Sequence, residues 1–338
     1  MNSVPRIHGG PDGQGAPLYD FSTNSNACGP CPHALVAVQQ ADATRYPDPS
    51  FTDLRQRLAD FYGVDGERIV LAGSASECIF RITAWVRQRG GKTVSLPVHA
   101  YGDYAHAAQA WGLQAVVSPD VADLVWACEP SSPLGQNHGE WPAWLNGDGA
   151  PTAGKGQVLV VDCAYAPLRL DGVPSLGDAQ RQQVWQLFSP NKALGLTGVR
   201  AAFAIAPIGT EAAVAQLEAL APSWMLGAHG VAMLQAWTQA ATQSWLQSSL
   251  EILRGWKLRQ IEWLEGAGWT VQPSATPFFC AQPPQGVEAV ALSLKLRMQG
   301  IKLRDATSFG LPGWVRLGVL SLPAQDALLA ACNSVENA

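Results

Sequence analysis

The chain has 338 residues, 47% of them hydrophobic and 14% charged. It can therefore bury the core of one large domain or two moderate ones, and it is neither disordered nor a solvated repeat array. A net charge of −5 with no basic stripe argues against a nucleic-acid partner, and no apolar run approaches the roughly 20 residues that span a bilayer. Residues 1–15 lack the apolar centre of a secretory signal, so the expectation is a soluble cytoplasmic protein with no membrane partner.

The first 44 residues carry little regular signal. Cys28-Gly29-Pro30-Cys31 has the spacing of a redox pair, but that chemistry needs a preceding strand and an amphipathic helix opening at the first cysteine. Asn24-Ser25-Asn26 precedes it and Pro32 follows, so the segment reads as a turn. No second C-x-x-C completes a zinc site, and no metal is expected. Seven scattered cysteines fit free thiols in a reducing compartment.

From Arg45 onward, short apolar runs alternate with helical spacing. A helix over 51–62 puts Phe51, Leu54, Leu58 and Phe61 on one face, opened by Ser50 with Asp53 placed for a capping box. Strands are predicted at 69–72, 93–97, 116–117, 124–128, 158–162, 184–188 and 201–206, with helices after Ser76 and at 105–111 and 211–220. Continuous apolar strands interleaved with helices specify an α/β fold with a mostly parallel sheet covered on both faces. Beyond 220 the pattern is a long helical run over 228–264, broken once, then short strands at 270–272, 278–281, 301–304 and 314–319. Helices at 288–299 and from Ala324 complete a smaller α+β part. The expected division is an N-terminal arm (1–44) belonging to the small domain, a large domain (45–220) and a small C-terminal domain (221–338). Residues 135–154 form the loosest stretch and read as a surface loop.

Ligands of parallel sheets bind at the carboxyl ends of the strands, so the residues that follow each strand carry the chemistry. The 69–72 strand runs into Gly73-Ser74-Ala75-Ser76-Glu77, where free N–H groups, a helix dipole and two hydroxyls can cradle a phosphate. Taken alone, that segment is also an ordinary Ser-capped helix. The all-apolar strand 158–162 ends in Asp162, a carboxylate at the edge of a core that requires a cationic or hydrogen-bonded partner, or else caps a helix. Tyr165 lies three residues on. The 184–188 strand leads into Ser189-Pro190-Asn191-Lys192-Ala193-Leu194-Gly195-Leu196-Thr197-Gly198-Val199-Arg200. Lys192 is the only charge in this run before Arg200, and an amine in apolar surroundings is a usable nucleophile. Amine, carboxylate, phenol and phosphate donors together match the groups of pyridoxal phosphate.

At this point the sequence resembles the class I/II aminotransferases, in particular the histidinol-phosphate aminotransferases and the threonine-phosphate decarboxylases of cobalamin biosynthesis. The most specific likeness is Ser189-x-x-Lys192, Gly195-Leu196-x-Gly198-x-Arg200, preceded by Asp162-x-x-Tyr165. The resemblance implies the fold of PLP-dependent transferases (fold type I, aspartate aminotransferase-like), with a seven-stranded sheet and pyridoxal 5′-phosphate as cofactor. It implies that Lys192 bonds the cofactor and shuttles the proton, Asp162 pairs with the ring nitrogen, and Tyr165 hydrogen-bonds the ring oxygen. Ser189 and Arg200 would hold the phosphate with Ser74, Ala75 and Ser76, and Tyr101 would stack on the ring. Tyr46 would reach the phosphate of a neighbouring subunit, implying a homodimer with shared sites. Arg316 falls where the family clamps the substrate carboxylate. His8-Gly9-Gly10, the segment from Leu18 to Asn24, and Arg304-Asp305 are similar to the decarboxylase branch, with His8, Asn24 and Arg304 near the substrate. Two departures stand out: Ser132 replaces the amide that usually donates to the ring oxygen, and Asn191 precedes the lysine. The implied activity is transamination of a small amino acid, phosphorylated or not, with threonine-phosphate decarboxylation as the alternative.

Overall fold

The computed structural model describes residues 8–146 and 156–336. In chain order the strands are β1 Tyr19–Asp20, β2 Ile69–Ala72, β3 Thr93–Ser95, β4 Gln114–Val116, β5 Leu124–Cys128, β6 Val158–Asp162, β7 Trp185–Phe188 and β8 Ala202–Ile205. They continue with β9 Thr270–Val271, β10 Phe278–Gln282, β11 Ile301–Lys302, β12 Arg304–Asp305 and β13 Val315–Gly318. The helices are α1 Pro32–Gln39, α2 Thr52–Tyr62, α3 Ala75–Gln88, α4 Gly102–Trp111, α5 Asp178–Arg181, α6 Glu211–Ala219, α7 Ala228–Trp237, α8 Ala240–Gly266, α9 Ala289–Met298 and α10 Leu322–Glu336.

Seven strands form one sheet in the order β2-β8-β7-β6-β5-β3-β4. β3 to β7 pair in parallel, and only β8 runs against its neighbours β7 and β2. Successive residues of a strand point to opposite faces, and here both faces are buried. Ile69, Leu71, Val125, Leu159 and Phe203 face one core with α2, α7 and α8. Val70, Leu124, Trp126, Val160 and Ala204 face another with α3, α4 and α6. Four strands form a second sheet, β12-β13-β10-β9, antiparallel throughout, and β1 pairs in parallel with β11. Among the described residues no helix is long and apolar enough to cross a membrane.

Three local expectations change. The helix expected at 51–62 begins at Thr52 because Phe51 has φ 50°, a left-handed conformation that interrupts the ladder. Its opening N–H is capped from a distance, by Asp48 Oδ2 at 2.7 Å from Thr52 N. Asp53 instead accepts from Arg57 one turn on, at 2.7 Å, so there is no capping box. The stretch 301–304 is not one strand. β11 turns to β1 and β12 to β13, so two residues serve each sheet. A helix, α1, follows the cysteine turn where none is expected from the sequence. Of the loop read at 135–154, residues 147–154 lie outside the described residues.

Candidate active site

Because β2, β5, β6 and β7 run the same way, their carboxyl ends meet at one edge of the sheet. Antiparallel β8 begins at that edge and brings Arg200 to it. A cavity of about 610 Å³ opens there. The large sheet and its loops contribute Ser74, Ala75, Ser76, Tyr101, Ser132, Asp162, Tyr165, Ser189, Lys192 and Arg200 to its wall. The N-terminal segment and the small sheet contribute His8, Asn24, Arg304 and Arg316. Tyr46 is not among the lining residues. It is 78% exposed and stacks on Trp224 with ring centroids 4.5 Å apart.

Asp162 ends β6 with its carboxylate buried. Oδ2 accepts from the Tyr104 hydroxyl at 2.7 Å and Oδ1 from the Ala164 N–H at 2.9 Å. Burial pushes its pKa above the ordinary carboxylate range, opposed by the Lys192 charge and by these two donors. Tyr104 lies on α4 one turn after Tyr101, and its ring stacks on Trp126 of β5 at 5.0 Å and 9°.

Lys192 places Nζ 5.1 Å from the centre of the Tyr165 ring. Its backbone is braced by the N-terminal segment. The Asn26 N–H donates to Lys192 O at 2.9 Å, Asn26 Nδ2 to Ala193 O at 3.1 Å, and the Cys31 N–H to Leu194 O at 2.8 Å. Gly195 has φ +67°, and a Cβ there would stand 2.4 Å from Gly29 O. The cysteine turn thus packs against the lysine loop. Its thiols are free, and α1 opens after Cys31 instead of at Cys28. Burial raises the Cys28 pKa to about 11, the reverse of what an attacking thiolate requires. Asn191 donates to Thr197 O and Val199 O, both at 3.4 Å, and so tightens the same loop.

The remaining side chains form two polar groups. Ser74 caps α3, accepting the Glu77 N–H at 3.0 Å. The N–H groups of Ala75 and Ser76, in the first turn, are left outside the helix ladder. Ser76 Oγ and Tyr101 OH are 3.1 Å apart. Arg304 and Arg316 stand directly opposite each other on β12 and β13, 3% and 6% exposed. Their guanidinium carbons lie 4.7 Å and 5.4 Å from the centre of the Phe309 ring. Arg316 donates to Ser22 O at 2.8 Å and Ser132 Oγ at 3.3 Å. Burial, then the like charge of Arg316, lowers the Arg304 pKa to about 10, and burial also lowers that of Arg316. His8 is exposed at the rim, its ring 6.1 Å from that of Tyr101.

These residues fit pyridoxal 5′-phosphate. Among the described residues, Ser189 Oγ and Asn24 Oδ1 are buried without a hydrogen-bond partner, which is costly unless a ligand supplies one. Asn24 Nδ2 also sits 3.4 Å from Tyr165 OH. Serine, a helix N-terminus and Arg200 at one edge supply phosphate donors, while Lys192, Asp162 and Tyr165 supply an amine, an anion and a phenol. Tyr104 and Phe309 were not singled out from the sequence as site residues. Its place three residues after Tyr101, in the first turn of α4, could have flagged Tyr104.

The class I and II aminotransferase family profile matches residues 16–334. Histidinol-phosphate aminotransferase of Roseobacter denitrificans is 27% identical, over 91% of this chain and 88% of that protein. The structure of L-threonine-O-3-phosphate decarboxylase from Porphyromonas gingivalis superposes with TM-score 0.77 at 19% identity, covering 95% of this chain and 100% of that one. Histidinol-phosphate aminotransferase from Sinorhizobium meliloti, solved in complex with pyridoxal-5′-phosphate, gives 0.76 at 23% identity, covering 97% and 94%. The fold is therefore that of the PLP-dependent aminotransferases, and the chain is an enzyme belonging to the class I and II aminotransferase family, with pyridoxal 5′-phosphate as its cofactor.

Proposed function

We propose that the chain transfers the amino group of a small phosphorylated amino compound, of the kind the histidinol-phosphate aminotransferases use, to a keto acid. The observation that carries this reading is that one cavity takes both Lys192 with Asp162 and Tyr165 and the cross-strand pair Arg304 and Arg316. Two buried guanidiniums side by side favour an anionic substrate, and a planar fork binds carboxylate or phosphate in a fixed orientation.

Pyridoxal 5′-phosphate, when bound, supplies an aldehyde that condenses with amines and a conjugated ring that accepts electrons released at the substrate Cα. Lys192 is the residue assigned to bond it and then to move the Cα proton on Nζ. Asp162 would pair with the ring nitrogen and keep it protonated, Tyr165 and Asn24 would hydrogen-bond the ring oxygen, and Tyr101 would stack on the ring. Ser189, Arg200 and the Ser74-Ala75-Ser76 turn, which line the same cavity, would hold the phosphate. Arg316 orients the substrate anion through the N–H groups that Ser22 and Ser132 leave over; its Nε has no partner among the described residues. Ser132 lies against Arg316, so we assign it to that guanidinium and give the ring-oxygen contact to Asn24.

The reading extends to a homodimer, since Tyr46 is exposed and outside its own cavity, as a side chain serving a partner's site would be. The expected arm (1–44), large domain (45–220) and small domain (221–338) are supported by the separate seven- and four-stranded sheets. Seven free thiols among the described residues support the cytoplasm. The second reading, threonine-phosphate decarboxylation in cobalamin biosynthesis, is favoured by His8 at the cavity rim.

The test supplies L-histidinol phosphate with 2-oxoglutarate, and separately O-phospho-L-threonine without a keto acid. Glutamate formation in the first mixture supports transamination. Sustained CO₂ release in the second replaces it with decarboxylation.

A further inference from the structure

We propose that Tyr104 is a positioning residue that holds the Asp162 carboxylate ionised and aimed at the cofactor's ring nitrogen. This rests on the reading above, in which Asp162 serves that nitrogen. The Tyr104 side chain is completely buried, and its hydroxyl donates to Asp162 Oδ2 at 2.7 Å. The Trp126 ring stacked on it at 5.0 Å and the Tyr101 ring edge-on at 5.9 Å fix the direction of that donor. With the Ala164 N–H on Oδ1, each carboxylate oxygen receives one bond, which sets the plane of the group.

A buried carboxylate tends to neutralise itself by taking up a proton. Hydrogen bonds to the charged form oppose this, and those to charged groups are about twice as strong as neutral ones. The groups facing Asp162 are Lys192 from the β7 loop, Tyr104 from α4, Tyr101 just before that helix, Cys78 from α3, Cys128 from β5 and Cys163 after β6. Burial pushes every one of these thiols and phenols upward, Cys78 to about 12. They stay neutral across the working range, so Tyr104 remains a donor while Asp162 titrates.

The test titrates pyridoxal 5′-phosphate into the cofactor-free full chain between pH 5 and 9, for the parent, Tyr104→Phe, Asp162→Asn and the double variant. Phenylalanine keeps the ring against Trp126 and removes only the hydroxyl. Tyr104→Phe should weaken binding about tenfold near neutral pH, the scale of one charged hydrogen bond. The acid side of its binding profile should also move to higher pH, because Asp162 then protonates sooner. In the Asp162→Asn background the same change should have little further effect. An unmoved pH profile, or an equal loss in both backgrounds, would leave Tyr104 a packing residue and overturn the proposal. A parent chain that binds no cofactor at any pH would overturn the reading of the site itself, and the proposal with it.

Discussion

Lys192 and Gly195 show how much rests on single positions in the lysine loop. Replacing Lys192 by alanine should leave part of the cofactor affinity, through the phosphate donors, while turnover falls by orders of magnitude. Near-normal turnover in that variant would contradict the assignment. Gly195→Ala combines a left-handed backbone with a Cβ 2.4 Å from Gly29 O. It should destabilise the chain by on the order of 3 kcal/mol, and an unchanged denaturant midpoint would show that the turn can yield. At this scale the sequence was informative, because the chemical groups follow directly on apolar strands. Asp162, Tyr165, Ser189 and Lys192 come within a few residues of the ends of β6 and β7. The Tyr104 bond to Asp162 was not legible, since the pair is 58 residues apart and meets only through the sheet order.

Elements explain why the N-terminal segment matters to a site built mainly on the large sheet. Asn26 joins three elements: its side chain donates to Ala193 O and to Ser249 Oγ of α8 at 2.8 Å, and its N–H holds Lys192 O. Asn26→Ala removes the donor to Ala193 O and Ser249 Oγ and the acceptor of the Cys28 N–H, and should cost about 2 kcal/mol, with slower turnover from a loosened lysine loop. Retained stability and rate together would argue against the brace. A second attachment is electrostatic. Asp12 accepts from Arg297 at 2.8 Å and lies 2.9 Å from Lys302, and these partners hold its pKa well below the usual range. A depressed carboxylate contributes above its unfolded pKa of about 4 and loses that contribution as pH falls through the folded value. The residues around Asp12 should therefore lose hydrogen-exchange protection, taken relative to the intrinsic rate at each pH, in acid and at high salt, with little change in melting temperature. Exchange independent of salt would remove the ion pairs from the account. The sequence could not supply these links. α1 carries no one-sided apolar stripe, and the split of 301–304 between β11 and β12 depends on β1, whose Tyr19 pairs with Ile301 from 282 residues away.

The whole molecule sets where the substrate meets the cofactor. The large sheet gathers the residues assigned to the cofactor, and β12 and β13 bring two arginines to the same cavity. Alternation of apolar runs and helices made the parallel sheet predictable, whereas the facing of Arg304 and Arg316 arises from strand register. If Tyr46 serves a partner's site, mixing Tyr46→Ala with Lys192→Ala subunits should restore activity that neither has alone, since one site of each hybrid is then complete. A mixture no more active than its parts would place Tyr46 outside the site. The central claim, that Lys192 bonds the cofactor, is tested most directly by reducing the loaded protein with borohydride and mapping the peptides by mass spectrometry. The pyridoxyl mass is expected on the peptide containing Lys192; a label on another lysine, or none, would contradict that assignment.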